Sequence, residues 1–152
     1  TNIGFLITAG LTKILTAFNF TGIGLIIMLL IIVIISGLFI SSPVIKWSII
    51  SGTAVPIFMN ASISQEFAQT VFQAGDAISK GITPLFAYFV IYIAFLEKYN
   101  QGDQITIGKG IRYMIPYSVT SFLIWFVVLI GWYITGLPLG IGSMPGVSYL
   151  LK

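Results

Sequence analysis

Long uncharged apolar stretches, separated by short polar interruptions, fill most of the chain. Residues 22–40 carry no charge, and at 1.5 Å per residue this run makes a helix about 28 Å long. That length approaches the thickness of the hydrocarbon core of a bilayer, about 30 Å. The pattern therefore predicts an apolar helix of nearly membrane-spanning length.

A second apolar helix follows the first almost at once, after the sequence Ser-Ser-Pro at residues 41–43. Proline is favoured in the first turn of a helix, and serines can cap the free N–H groups there. The second helix, residues 44–59, reaches only about 24 Å, and no charged loop separates it from the first. We therefore predict a re-entrant helical hairpin over residues 21–60, with its tip at residues 41–43.

Two charges, a glycine and a proline interrupt the next apolar stretch, in the sequence Asp-Ala-Ile-Ser-Lys-Gly-Ile-Thr-Pro that begins at Asp76. The apolar segments on either side, residues 67–78 and 83–96, are each too short to span a bilayer. Together they predict one discontinuous transmembrane helix over residues 64–97, broken at residues 79–84. Irregular backbone at membrane depth is tolerated where it lines a cavity or is buried in protein.

The rest of the chain predicts one more transmembrane helix, over residues 106–135. We place the polar loop before it, residues 98–105, in the cytoplasm, because basic residues mark cytoplasmic loops and three of them surround this one: Lys98, Lys109 and Arg112. Residues 1–20 predict an interfacial or partial helix, and residues 136–152 predict an external tail. Because the chain begins at a threonine rather than a methionine, we expect the N-terminal remainder of a longer protein to precede it.

Composition agrees with an integral membrane protein. Of the 152 residues, 57% are hydrophobic and 7% are charged, whereas soluble domains have about 25% charged residues. The seven basic residues are scattered along the chain, which argues against a nucleic-acid partner. Without cysteine or histidine, the chain has no basis for a disulfide framework, and a zinc or haem site is not expected.

Asp76 is the acidic residue that falls inside an apolar span, where an ionised side chain is costly and usually marks a solute or ion pathway. We therefore predict that Asp76 couples transport to protons or Na⁺, and we expect no other cofactor. Asp76 and Lys80 are spaced i,i+4, so a purely structural ion pair is an equally open interpretation. An enzyme is not expected, because a nucleophilic serine lacks a histidine base and only one aspartate falls inside an apolar span.

The tip of the hairpin also leaves two interpretations open. Ser41 and Ser42 either cap the second helix or, with its N-terminal N–H groups, receive a substrate carboxylate. Lys46 either snorkels to water or is held near the buried tip, and Trp47 either packs or offers a stacking surface. Discontinuous helices that present such groups near the midplane are typical of secondary transporters. We predict an all-α secondary transporter; the alternative is a non-transporting membrane subunit or assembly protein whose broken helix is a packing device.

Three stretches carry a resemblance to a known family: I-S-S-P-V-I-K-W from Ile40, G-D-A-I-S-K-G-I-T-P-L-F-A-Y-F from Gly75, and I-R-Y-M-I-P-Y-S-V-T-S-F from Ile111. They resemble the C-terminal third of the p-aminobenzoyl-glutamate transporter (AbgT) family. The resemblance implies the second inverted repeat of an ion-transporter-superfamily fold. It also implies a multi-pass inner-membrane protein, homodimeric and elevator-like, that moves p-aminobenzoyl-glutamate or expels sulfonamides and related folate-pathway organic anions.

The same resemblance assigns roles to individual residues. It implies substrate binding by six residues: Ser41, Ser42, Trp47, Lys80, Thr83 and Pro84. It implies ion coupling by Asp76 and Ser79. This chain departs from the family at Lys80, where the family has asparagine. The resulting ammonium group either takes the place of a coupling cation or forms a salt bridge with Asp76.

Overall fold

A computed structural model describes residues 22–100 and 105–139, which form five α-helices and no β-strand. In chain order the helices are α1 (Ile23–Gly37), α2 (Pro43–Asn60), α3 (Gln65–Lys80), α4 (Phe89–Tyr99) and α5 (Ile107–Thr135). The predicted helix over residues 1–20 lies outside the described residues. So do residues 101–104 of the predicted cytoplasmic loop and residues 140–152 of the predicted tail.

A short non-helical connection, residues 38–42, joins α1 to α2 at the predicted tip. Pro43 occupies the first turn of α2, where its fixed φ favours the helix. Ser42 takes the N-cap position with an extended backbone, but its hydroxyl accepts no hydrogen bond from the first turn. The Ser42 side chain therefore does not cap α2. The Ser42 carbonyl nevertheless accepts the Lys46 N–H at 3.1 Å.

The break in the apolar stretch begins later than we predicted from the sequence. The helix α3 continues to Lys80, and the non-helical segment covers residues 81–88 rather than residues 79–84. Ser79 stays helical, and its hydroxyl donates to the Asp76 carbonyl of the preceding turn at 2.8 Å. Pro84 follows Thr83 and disfavours a helical conformation there. Helix α4 therefore starts at Phe89, and the second apolar segment is shorter than the predicted one.

The core lies where α3 packs on α1. Helix α3 begins at the N-cap Ser64, whose hydroxyl accepts the Phe67 N–H at 3.2 Å, and one apolar face of α3 is buried along its length. Five residues of α1 supply the facing surface: Leu25, Ile26, Leu29, Leu30 and Val33. Helix α2 adds Ile50, Ala54 and Phe58 to the same cluster. This packing places the C-terminal ends of α1 and α3 side by side, next to the first turns of α2.

Helix α5 is the one helix among the described residues that is long and apolar enough to cross a membrane. It ends at Gly136, which adopts a left-handed conformation (φ 63°) and donates its N–H to the Trp132 carbonyl at 3.0 Å. Such a glycine cap is a frequent end for a helix, because glycine adopts positive φ without strain. Helix α1 is also apolar but shorter.

Candidate functional site

Asp76 lies between two lysines at the end of α3. Its Oδ1 accepts a hydrogen bond from Lys46 Nζ at 2.6 Å, and its Oδ2 pairs with Lys80 Nζ at 2.7 Å. Lys80 comes from the next turn of the same helix, whereas Lys46 reaches across from the first turns of α2, 30 residues earlier in the chain. Each carboxylate oxygen therefore has its own ammonium partner, and the cluster carries a net charge of +1.

The two lysines differ in exposure. The side chain of Lys46 is 1% exposed and that of Asp76 is 7% exposed, while the side chain of Lys80 is 36% exposed. A buried ion pair is stable only when its charges compensate each other at close range, and breaking one by removing a partner is strongly destabilising. Lys46 and Asp76 thus form a fixed internal pair, and Lys80 lies at its outer edge.

Close helix packing holds the fixed pair in place. A side chain at Gly37, the last residue of α1, would overlap the hydroxyl group of Ser79 and come within 3.1 Å of Lys46 Nζ. One turn earlier on α3, a Cβ at Gly75 would lie 2.9 Å from Val33 Cβ. Small residues at such crossings let two backbones approach closely, which is the main source of helix association in membranes. The ends of α1 and α3 therefore meet around the Lys46–Asp76 pair.

A cavity of about 590 Å³ opens beside Asp76 and Lys80, between the end of α3, the break and α5. Ligand pockets for small molecules typically have volumes of this order. Aside from Asp76 and Lys80, the described residues that line it carry no charge: Pro43, Phe72, Gln73, Ala77, Gly81, Phe86, Met114 and Tyr117. The cavity thus combines apolar and aromatic walls with one cationic side.

Lys46 does not line this cavity. It borders a second one of about 280 Å³, which lies between α1 and α2 and is walled mainly by isoleucines. The Lys46–Asp76 pair therefore separates the two cavities. From the larger cavity a ligand meets the Asp76 carboxylate and the Lys80 ammonium, but not the Lys46 ammonium.

The remaining residues predicted to bind substrate lie around the cavity rather than on its walls. Ser41 and Pro84 are exposed and Ser42 is half-buried, whereas Thr83 is buried and accepts the Leu85 N–H at 3.3 Å. Trp47 is half-buried and packs against Phe72, with 4.9 Å between the ring centroids. The structure thus brings together Asp76, Ser79 and Lys80 and does not bring the two serines of the tip to them.

Sequence reasoning missed the Lys46–Asp76 contact. A usable signal was present, because a lysine inside an apolar helix needs an anionic partner and Asp76 is the acidic residue available in an apolar span. It also missed Ser118 on α5, which is 2% exposed and faces Gly81 at the start of the break. Among the described residues, its hydroxyl oxygen is the buried side-chain polar atom without a hydrogen-bond partner. Nothing in the local sequence marks Ser118.

The described residues contain no group of three or more acidic, cysteine or histidine side chains that could hold a metal ion. What the site offers chemically is charge. Two ammonium groups and one carboxylate, placed where a helix ends inside an apolar environment, can bind an anion or exchange a cation.

Comparison with known proteins identifies the family. The model of the AbgT putative transporter family matches residues 1–147. The chain is 30% identical over 147 residues to the p-aminobenzoyl-glutamate transport protein of Escherichia coli K12, and the match covers 97% of this chain and 28% of that protein. The solved structure of the YdaH transporter of Alcanivorax borkumensis is similar, with a TM-score of 0.77 and 33% identity over 91% of this chain and 29% of that one.

The chain thus spans less than a third of the length of these relatives. These matches confirm the resemblance seen in the sequence, and the chain belongs to the AbgT family of membrane transporters.

Proposed function

We propose that this chain is the C-terminal third of a secondary active transporter that moves p-aminobenzoyl-glutamate or related folate-pathway or sulfonamide-like organic anions across the inner membrane. The family match and the name of the E. coli relative support this substrate class. The relatives are named as transporters, which also favours a carrier over an enzyme. In this proposal the chain supplies the second of two inverted repeats, and the transporter works as a homodimer with an elevator-like movement.

One observation carries the proposal: a cationic cluster forms the charged side of an otherwise uncharged, partly aromatic cavity next to a broken helix. The net charge of +1 attracts a carboxylate, and the aromatic side chains of Phe72, Phe86 and Tyr117 suit an aromatic ring.

We assign the coupling role to Asp76. A carboxylate that neutralises two ammonium groups sets the charge of the cavity, so protonation of Asp76 or its approach by Na⁺ changes the affinity for an anion. We assign Ser79 a supporting role, since it is buried and its hydroxyl donates to the Asp76 carbonyl. Thr83 and Pro84 shape the break that follows, and the two serines of the tip, Ser41 and Ser42, contact the substrate when the hairpin moves.

The alternative function, a non-transporting membrane subunit, is less favoured by the geometry. A purely structural ion pair has no need to border a large cavity, whereas Asp76 and Lys80 both line one of about 590 Å³. If the ion pair were purely structural, loss of Asp76 would impair assembly, and neither the wild type nor the variant would transport the substrate.

Transport assays on the full-length transporter in proteoliposomes test the proposal. Asp76→Asn alone would leave Lys46 buried without a partner, so the informative variant is Lys46→Met/Asp76→Asn, which removes the fixed pair as a unit. We expect this double variant to fold and to lose accumulation of p-aminobenzoyl-glutamate against a gradient. Glu66→Gln is the matched control, because Glu66 is an exposed acid in the first turn of the same helix. A double variant that still concentrates the substrate would exclude Asp76 as the coupling group.

A further inference from the structure

The two lysines that hold Asp76 are not equivalent. Lys46 is enclosed and borders only the smaller, apolar cavity, whereas Lys80 is 36% exposed and lines the larger one. Lys80 bonds to Oδ2 of Asp76, and Lys46 bonds to Oδ1, so each contact can be broken without the other. If Lys80 leaves, Asp76 remains in a close and neutral pair with Lys46.

We propose that Lys80 exchanges partners during transport: it pairs with Asp76 when the cavity is empty and with the carboxylate of the organic anion when the cavity is loaded. Lys80 can act in this way only if the proposed function holds and such an anion enters the cavity. Lys46 stays on Asp76 in both states and keeps the carboxylate from competing with the anion. Lys80 is thereby the residue that selects anions over neutral ligands.

The chemistry of the lysine side chain fits this exchange. The ammonium group sits on a flexible four-carbon stem and can donate in several directions. Its present contact is an i,i+4 pair at a partly exposed position, and such pairs contribute little to stability. A carboxylate that enters the cavity can therefore replace this contact with an equivalent charge-assisted hydrogen bond, at little cost in stability.

The charges on the cavity wall lead to the same conclusion. Among the described residues that line it, Lys80 is the single cation and Asp76 the single anion. With Asp76 neutralised by Lys46, the free charge that faces a ligand belongs to Lys80. The site has a net charge of +1 when it is empty, and one carboxylate held by Lys80 neutralises that charge.

Binding measured by calorimetry on the purified full-length transporter tests the exchange. The probes are p-aminobenzoyl-glutamate and its diamide, in which both carboxylates are replaced by uncharged amides. For Lys80→Met we expect the Kd of p-aminobenzoyl-glutamate to rise roughly ten- to hundredfold, as for loss of a charged hydrogen bond, and the Kd of the diamide to stay as in the wild type. Lys98→Met is the control, because Lys98 is exposed in the last turn of α4 and its removal changes net charge outside the cavity.

A chemical rescue makes the test independent of how well Lys80→Met folds. This chain contains no cysteine, so Lys80→Cys, in a transporter with no other cysteine, gives one reactive thiol. After purification, a thiosulfonate reagent that adds an ammonium group should restore binding of p-aminobenzoyl-glutamate. A reagent that adds a sulfonate should not.

Each result decides between the two proposals. If the wild type binds neither probe, the proposed function fails and the exchange fails with it. If Lys80→Met keeps the wild-type ratio of the two Kd values, either unchanged or weakened equally for both probes, Lys80 does not contact the anion. The exchange is then overturned while the proposed function stands.

Discussion

Helices α1 and α3 and the outer pair α4 and α5 use their apolar residues in opposite ways. Nine of the sixteen residues of α3 are buried, whereas three of the 29 residues of α5 are. Lipid tails are as apolar as leucine, so burial in a membrane protein reflects close packing rather than escape from water. The comparison shows that the fixed part of the site lies at the tightly packed α1–α3 crossing, while α5 adds a loosely packed wall to the cavity through Met114 and Tyr117.

The polar groups follow the same division. In the tightly packed region, Lys46 and Asp76 are buried and paired at 2.6 Å. Toward the loose region, Lys80 is partly exposed, and Ser118 of α5 has a buried hydroxyl without a partner. A buried ion pair and a partly exposed lysine thus belong to different packing environments, and the three predictions below test that difference.

The largest effect is expected at Asp76. Asp76→Asn removes the sole anion beside Lys46 among the described residues and leaves an uncompensated charge in the tight region. We expect it to destabilise the transporter by about 3–5 kcal/mol. Adding Lys46→Met to the same protein should recover most of that loss, because the double variant contains no stranded charge. Chemical unfolding of the wild type, both single variants and the double variant measures the coupling.

Lys80→Met provides the contrast, since it leaves the Lys46–Asp76 pair intact. Its cost should be well below that of Asp76→Asn, about 1 kcal/mol or less. Equal losses in the two variants would show that the three charges act as one buried unit, and would contradict the distinction between the buried Lys46 and the partly exposed Lys80.

The sequence allowed the order of elements to be predicted, because long apolar runs, prolines and charges determine where helices can start and stop in a membrane. The start of the break was misplaced by two residues, because α3 continues to Lys80, whose i,i+4 contact with Asp76 supports the last turn. The break was recognisable from the glycine and proline, but its first residue was not.

The site was predictable only in part for a related reason. Asp76 and Lys80 are one turn apart, so their pairing follows from helical periodicity. Lys46 lies 30 residues from Asp76, and their contact depends on how α2 packs on α3. The sequence also did not identify the glycines that allow α1 and α3 to approach each other. A glycine in an apolar run is compatible with a packing contact, a bend or an open surface.

The second prediction concerns two glycines in the two regions. Gly75→Ala places a Cβ 2.9 Å from Val33 Cβ and 3.3 Å from the Leu30 carbonyl oxygen, and overpacking of this kind costs about 1–3 kcal/mol. Gly131 is the matched control on α5, because a Cβ there meets nothing within 4 Å. Gly131→Ala should instead stabilise its helix by about 0.5–1 kcal/mol. Thermal unfolding of the two variants compares the regions directly, and equal shifts would contradict the difference in packing.

The smallest expected effect is at Ser118, where the loose region buries a hydroxyl without a partner. Other helical hydroxyls bond to a carbonyl of their own helix; Ser48 donates to Ile45 at 2.8 Å and Thr120 to Pro116 at 2.8 Å. Because an unsatisfied buried polar group is costly, Ser118→Ala should stabilise the protein by about 1 kcal/mol. Ser48→Ala, at an exposed and satisfied position, should change stability by no more than about 0.5 kcal/mol.

A loss of stability in Ser118→Ala would reverse this interpretation. It would mean that the hydroxyl has a partner in the intact transporter, and that the contact of α5 with Gly81 is part of the tight region rather than of the wall. Comparing unfolding with and without p-aminobenzoyl-glutamate then locates that partner. If the ligand removes the difference between Ser118→Ala and the wild type, the hydroxyl contributes only in the empty state; if it enlarges the difference, the hydroxyl contributes when the cavity is loaded.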